Sequence, residues 1–130
     1  LLPLVQSRGG ELTCVIGCGG DRDVAKRPLM AQAAEQHAHR VVLTSDNPRS
    51  EDPQIILNHM LMGLQNAANA IVIADRAQAI AQTVQHARTQ DVVLVAGKGH
   101  EDYQEVAGVQ HPFSDVQHAR DALVQRRGHV

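Results

Sequence analysis

Short apolar runs alternate along this chain with amphipathic stretches, and each run ends in a polar or glycine-rich turn. Leu12 to Ile16, Arg40 to Thr44, Ala70 to Ala74 and Asp91 to Ala96 read as strands. Between them lie three helical patterns. Pro28 is a first-turn residue for a helix through His37, with Ala31, Ala33 and Ala34 giving high propensity. Pro53 to Asn66 carries Ile56, Leu57, Met60, Leu61 and Leu64 at helical spacing, and Ala77 to Arg88 carries Ile80, Ala81, Val84 and Ala87 on one face. Strands that alternate with helices through short connections predict a parallel, doubly wound sheet. Asp91 to Ala96, DVVLVA, reads as the most strongly buried strand. Tyr103 to Val109 reads as an edge hairpin, and Ser114-Asp115 as the cap of a last helix reaching Arg126. The expected fold is α/β: one Rossmann-like, three-layer domain over residues 1–130, with a mostly parallel sheet and an antiparallel edge hairpin.

Composition narrows the function. A chain of 130 residues, 43% of them hydrophobic, can bury an independent core. One Tyr, one Phe and no Trp leave little to stack on nucleic-acid bases, and a net charge of -2 offers no basic footprint for nucleic acid or an anionic membrane. No apolar run approaches the roughly 20 residues of a membrane helix. The opening LLPLVQSRGG lacks the basic start and cleavage site of a signal peptide and reads as the tail of a helix cut from a longer chain. A monomer in the cytoplasm is expected. The two cysteines, Cys14 and Cys18, would be roughly 13 Å apart on one strand, against a limit of about 7 Å for a disulfide. They read as small buried hydrophobes in a reducing compartment. The eight histidines are scattered, and no metal site is expected.

Three loops follow strand ends: 17–26, 45–50 and 97–102. Parallel strands end together, so all three should emerge at one sheet edge, where α/β proteins bind ligands. They supply Asp21, Arg22, Asp23, Asp46, Asn47, Arg49, Lys98, His100, Glu101 and Asp102. The densest stretch is TSDNPRSEDP, Thr44 to Pro53. There Asp46, Asn47 and Arg49 place an anion, an amide and a guanidinium fork within four residues, and Pro48 stiffens their presentation. That set suits a small zwitterion. Gly17-Cys18-Gly19 opens like a dinucleotide-binding fingerprint, but Arg22 stands where the last glycine belongs. Gly19 and Gly20 then serve as a turn that lets the backbone pass tightly between strand and helix. AGKGHEDYQ is not a phosphate loop, because Val92 and Gly99 stand where Gly and Ser or Thr are required. Gly97 and Gly99 instead allow close backbone approach to a ligand.

GCGGDRDVAKRPLM, TSDNPRSEDP and VLVAGKGHEDYQ, in that order and at this spacing, resemble the C-terminal domain of the Mur ligases, and within them the branch that adds diaminopimelate. The resemblance covers nearly the whole chain. It implies an ATP-dependent ligase of peptidoglycan synthesis. Such an enzyme joins meso-diaminopimelate to UDP-N-acetylmuramoyl-L-alanyl-D-glutamate through an acyl phosphate. It further implies that ATP and Mg are bound mainly by a central domain absent from this chain. By motif, Arg49 would grip the carboxylate at the non-reacting end of meso-diaminopimelate, a group L-lysine lacks. Arg22 would add a second carboxylate contact, and Asn47, the Gly97 carbonyl and Glu101 would take the remaining amine and carboxylate. Guanidinium forks match carboxylates bidentately, which suits the task. Val24-Ala25 departs from the Lys-Gly pair common in relatives and bears only on loop flexibility.

Plainer roles remain open from the residues alone. Arg22 can form a local salt bridge with Asp21 or Asp23, Arg49 can be a solvated charge, and Glu101 can pair only with Lys98. Asp46 can organise its loop rather than touch ligand. Lys26-Arg27 reads as a solvated helix entry that meets phosphate only if ATP comes near, and His100 as structural. A free-standing Rossmann-like module binding an amino acid or nucleotide is the non-enzymatic alternative.

Overall fold

The computed structural model describes residues 2–98 and 101–127. Gly99 and His100, assigned above to ligand approach and to structure, lie outside the described residues. A short helix α1 (Leu2–Ser7) precedes β1 (Leu12–Cys18), α2 (Lys26–His37), β2 (Arg40–Ser45) and α3 (Pro53–Leu61). A 3-10 turn (Ala67–Asn69) leads to β3 (Ile71–Val72), α4 (Arg76–His86) and β4 (Val92–Ala96). The hairpin β5 (Tyr103–Val106) and β6 (Val109–Pro112) precedes α5 (Asp115–Arg127). Four strands form a parallel sheet in the order β3-β2-β1-β4, and β5-β6 form a separate antiparallel ribbon.

The period-2 alternation of β1 divides its side chains between two helical layers. Cys14, Ile16 and Cys18 join Val41 and Leu43 against Ala31 and Ala34 of α2 and Ile56, Leu57 and Met60 of α3. Val15 and Val42 face Ala79 of α4 on the other side. Behind them Ile80 and Val84 pack on Ala122 of α5. Each fully buried aliphatic side chain contributes roughly 1.5–3 kcal/mol of transfer free energy. The expected cap of the last helix is present: Ser114 Oγ accepts the Gln117 N–H at 3.2 Å. Asp52 and Asp75 cap α3 and α4 in the same way.

Several boundaries differ from the sequence reading. DVVLVA is not the most buried strand: β4 has a neighbour on one side only, and Leu94 remains 39% exposed. The central strands β1 and β2 hold Val15, Val42 and Leu43 at 1% exposure or less. Helix α3 stops at Leu61 instead of Asn66, because the chain turns at Gly63 under the Pro28 carbonyl. The third strand contracts to Ile71–Val72. Both cysteines lie on β1, free and buried, and burial pushes their thiols up, Cys18 to about 11. They are protonated, unreactive packing groups.

Two local devices hold the chain where the site needs it. At the lower end of the sheet, Asp91 accepts the Glu11 N–H at 2.8 Å and the Arg88 N–H at 2.9 Å. The backbone N–H groups of Arg88 and Glu11 pull its carboxyl down to about 2. At the upper end, the loop after β1 lies directly against the loop after β2. The Gly20 N–H donates to the Asn47 carbonyl at 2.7 Å, and a Cβ on Gly20 would fall 1.8 Å from the Pro48 oxygen. The tight passage that the glycines permit is therefore between two loops, not between strand and helix.

Two outcomes are expected. Folding favours the Asp91 anion, so its stabilisation is complete above pH 3.8 and is lost as pH falls toward about 2. Asp91→Asn should melt below the parent at pH 7, and the gap should close as pH drops through that window; a gap unchanged by acid in circular-dichroism melts would contradict this. Gly20→Ala forces the two loops apart and should cost about 1–3 kcal/mol in urea unfolding, whereas a neutral substitution would mean the loops are not in contact.

Candidate functional site

Strand register delivers the three loops to one place. Cys18 pairs with Ser45, and Ile16 with Ala96, so β1, β2 and β4 end side by side. The loop after β1 carries Arg22, the loop after β2 carries Asp46, Asn47 and Arg49, and the loop after β4 carries Gly97, Lys98 and Glu101. Contacts join the last two loops. Asn47, 1% exposed, donates from Nδ2 to Glu101 Oε1 at 3.2 Å. Its Oδ1 accepts from Lys98 Nζ and from the Glu105 N–H, each at 3.0 Å.

Lys98 is the hub of this half of the site. Its ammonium is buried, donates to the Tyr103 carbonyl at 2.6 Å, and lies 3.0 Å from Asp46 Oδ1 and 3.7 Å from Glu101 Oε1. The chain's one Tyr and one Phe both flank it, with ring centroids 5.8 and 5.9 Å from Nζ. Such a desolvated cation is stable because acceptors and ring faces surround it. Asp46 Oδ1 sits within ion-pair distance but receives no hydrogen bond from the described residues. The Glu101 carboxylate pairs with more than Lys98, since it also takes the Asn47 amide and, at 3.5 Å, the Tyr103 hydroxyl. Gly97 has a φ of 113°, a conformation L side chains rarely adopt, and turns the chain away from β4.

The other half is cationic. Arg49 adopts a left-handed φ of 54° and is fixed by its backbone: its N–H donates to the Glu105 carbonyl, and its own carbonyl accepts the Ala107 N–H. Its Nη1 donates to the carbonyls of Gly20 at 2.9 Å and Asn47 at 3.4 Å. Among the described residues only Nη1 of this guanidinium is engaged, which leaves Nε and Nη2 side by side for a bidentate acceptor. Arg22 is exposed next to it: a Cβ on Gly19 would lie 2.8 Å from Arg49 Nη1 and 3.4 Å from Arg22 Cγ. The local salt bridge open to Arg22 does not form. Asp23 accepts the Ala25 N–H, and Asp21 accepts the Ser50 hydroxyl, which with the Ser50 N–H lowers the Asp21 carboxyl.

Two buried arginines escaped the sequence reading. Arg27 is not a solvated helix entry; it is 1% exposed and bonds Gly19, Glu51 and His59. Arg76, also 1% exposed, donates to the carbonyls of Ser45 and Ala96 and grips Asp115 of α5 through both carboxylate oxygens. Helical periodicity contains the signal. Arg27 precedes the buried Ala31 and Ala34 by four and seven positions, and Arg76 precedes the buried Ala79 and Ile80 by three and four. Lys26 does stay exposed.

Among the described residues no group of His, Cys, Asp and Glu could hold a metal ion, and no helix is long and apolar enough to cross a membrane. Comparison with known proteins places the arrangement. A relative from Chromobacterium violaceum is 60% identical over 119 residues, 92% of this chain and 24% of its own length. One from Acidovorax sp. (strain JS42) is 54% identical over 128 residues, 98% of this chain and 26% of its own. Both are UDP-N-acetylmuramoyl-L-alanyl-D-glutamate–2,6-diaminopimelate ligases. A solved structure of a ligase of that name superposes with a TM-score of 0.86 at 45% identity, covering 95% of this chain and 27% of that one. The chain thus spans about a quarter of the length of these relatives. Residues 2–99 match the family model described as Mur ligase, glutamate ligase domain, and the chain belongs to that family.

Proposed function

We propose that this chain is the amino-acid-recognition domain of an ATP-dependent ligase that joins meso-diaminopimelate to UDP-N-acetylmuramoyl-L-alanyl-D-glutamate in cytoplasmic peptidoglycan synthesis. The observation that carries the reading is the meeting, at one sheet edge, of two arginine side chains packed beside Gly19 with a carboxylate–amide pair. Arg49 and Arg22 supply the first; Glu101 and Asn47 supply the second. An amino acid with carboxylates at both ends and amines beside them is the complementary ligand. Arg49 takes the carboxylate of the non-reacting end through Nε and Nη2, with Arg22 as the second carboxylate contact. Glu101 and the Gly97 carbonyl accept from ammonium, and Asn47 orients Glu101. Asp46 neutralises Lys98 and shapes the loop. The relatives' names point to the same substrates.

The domain contributes orientation to the reaction. Holding the nucleophilic amine toward an acyl phosphate converts an encounter between two molecules into a step within one complex. The described residues do not fit an ATP–magnesium site: the Gly97-Lys98 turn lacks the phosphate-loop spacing, and the described carboxylates do not cluster as metal ligands. ATP and magnesium therefore belong, on this reading, to other domains of the ligase, and the chain acts as a monomeric unit beside them.

Arg49→Ala in the full-length ligase should remove a charge-assisted contact worth about 1.5–3 kcal/mol. The Michaelis constant for meso-diaminopimelate should rise accordingly, while that for ATP holds. Unchanged affinity for meso-diaminopimelate together with unchanged discrimination against L-lysine would refute the assignment.

A further inference from the structure

The first turn of α2 carries a buried charge that the recognition roles leave unused. The Arg27 side chain reaches across to both recognition loops at once. Its Nη2 donates to the Gly19 carbonyl at 3.1 Å and to the Glu51 carboxylate, and its Nη1 donates to His59 Nδ1 at 3.1 Å. Glu51 Oε2 also accepts the Asp21 N–H at 3.2 Å. Gly19 and Asp21 lie on the loop that carries Arg22, and Glu51 is two residues past Arg49. Beside the Gly20–Asn47 and Asp21–Ser50 hydrogen bonds, Arg27 therefore ties together the two backbones that carry Arg22 and Arg49.

We infer that Arg27, acting with Glu51, is a positioning residue that sets the separation of Arg22 and Arg49 and so the selectivity for an amino acid bearing the extra carboxylate. The inference rests on the recognition reading given above. Two long side chains on loops without such a brace would sample many separations, and a carboxylate held by both needs one. An ammonium could not replace this guanidinium, whose planar fork serves Gly19, Glu51 and His59 in fixed directions. The arrangement is not what stability alone would select. Among the described residues Arg27 Nε is buried without a partner, and a buried ion pair adds little net stability over apolar packing. Its benefit lies in geometry.

The test uses the full-length ligase carrying this domain, with Glu51→Gln and Arg27→Lys made separately. The Glu51 side chain is 30% exposed, so its replacement is the gentler break. Both variants should raise the Michaelis constant for meso-diaminopimelate about tenfold while kcat and the constant for ATP stay within about twofold. The preference for meso-diaminopimelate over L-lysine should fall by a similar factor, because lysine never uses the paired guanidinium groups. A lower melting temperature with unchanged substrate constants, or an equal loss across all substrates, would make the pair purely structural and overturn the inference. Failure of the unsubstituted ligase to use meso-diaminopimelate would instead overturn the recognition reading, and this inference with it.

Discussion

A parallel sheet ends in carbonyl groups that no further strand can satisfy, and Arg76 supplies the donors at this end. Nη1 reaches Ser45 and Nη2 reaches Ala96, at 3.1 and 3.2 Å, while Asp115 balances the charge from α5. A buried carbonyl without a donor would cost about 1–3 kcal/mol. Ser45 and Ala96 immediately precede Asp46 and Gly97. The base of two recognition loops is thus set by one side chain, and the last helix is bolted to the site through an ion pair rather than through packing alone. Breaking such a pair from one side strands a buried charge, which makes Arg76 and Asp115 a unit.

Above that base the polar groups divide into those that hold the loops and those that face outward. Asn47 and Lys98 spend their hydrogen bonds within the protein, and Asp46 offsets the Lys98 charge. Among the described residues, none accepts a hydrogen bond from the side chain of Arg22 or from Nε and Nη2 of Arg49. Glu101 is intermediate, held by Asn47 but about one-third exposed, at 35% for its side chain. This division lets a site rich in charge stay ordered without exhausting the charges that would meet a ligand.

The α/β alternation was readable from Val41 to Leu43, from the Ile56–Met60 spacing and from the Ser114 cap, because each depends on local periodicity or local hydrogen bonding. The polar content of the three loops was readable for the same reason. Strand rank was not. DVVLVA is more apolar than LTCVI, yet β4 lies at the edge, since composition reports on side chains and the order β3-β2-β1-β4 is decided by which helix crosses which face. Arg27 and Arg76 were hidden by the habit of assigning charge to the surface. Their positions on the inner helix faces were in the pattern, but their acceptors, a strand-end carbonyl and a carboxylate from a distant segment, exist only after folding. Asp21 and Arg49 in left-handed conformations belong to the same class.

The hairpin shows what such long-range terms accomplish. Its antiparallel pairing closes on Ala107 and Gly108, both with positive φ, and it stands apart from the four-stranded sheet. Its first strand instead braces the loop after β2. Gln104 Nε2 donates to the Asp46 carbonyl, the Glu105 N–H to Asn47 Oδ1, and Arg49 exchanges backbone bonds with Glu105 and Ala107. Pro48, which has no N–H to offer, is the one residue from Asp46 to Arg49 that these bonds bypass. A non-glycine residue in the left-handed region stores about 1–3 kcal/mol of strain and persists only where its surroundings over-determine it. The ribbon supplies that determination at Arg49. A strand pair that adds nothing to the main sheet therefore holds in place the side chain on which the carboxylate reading turns.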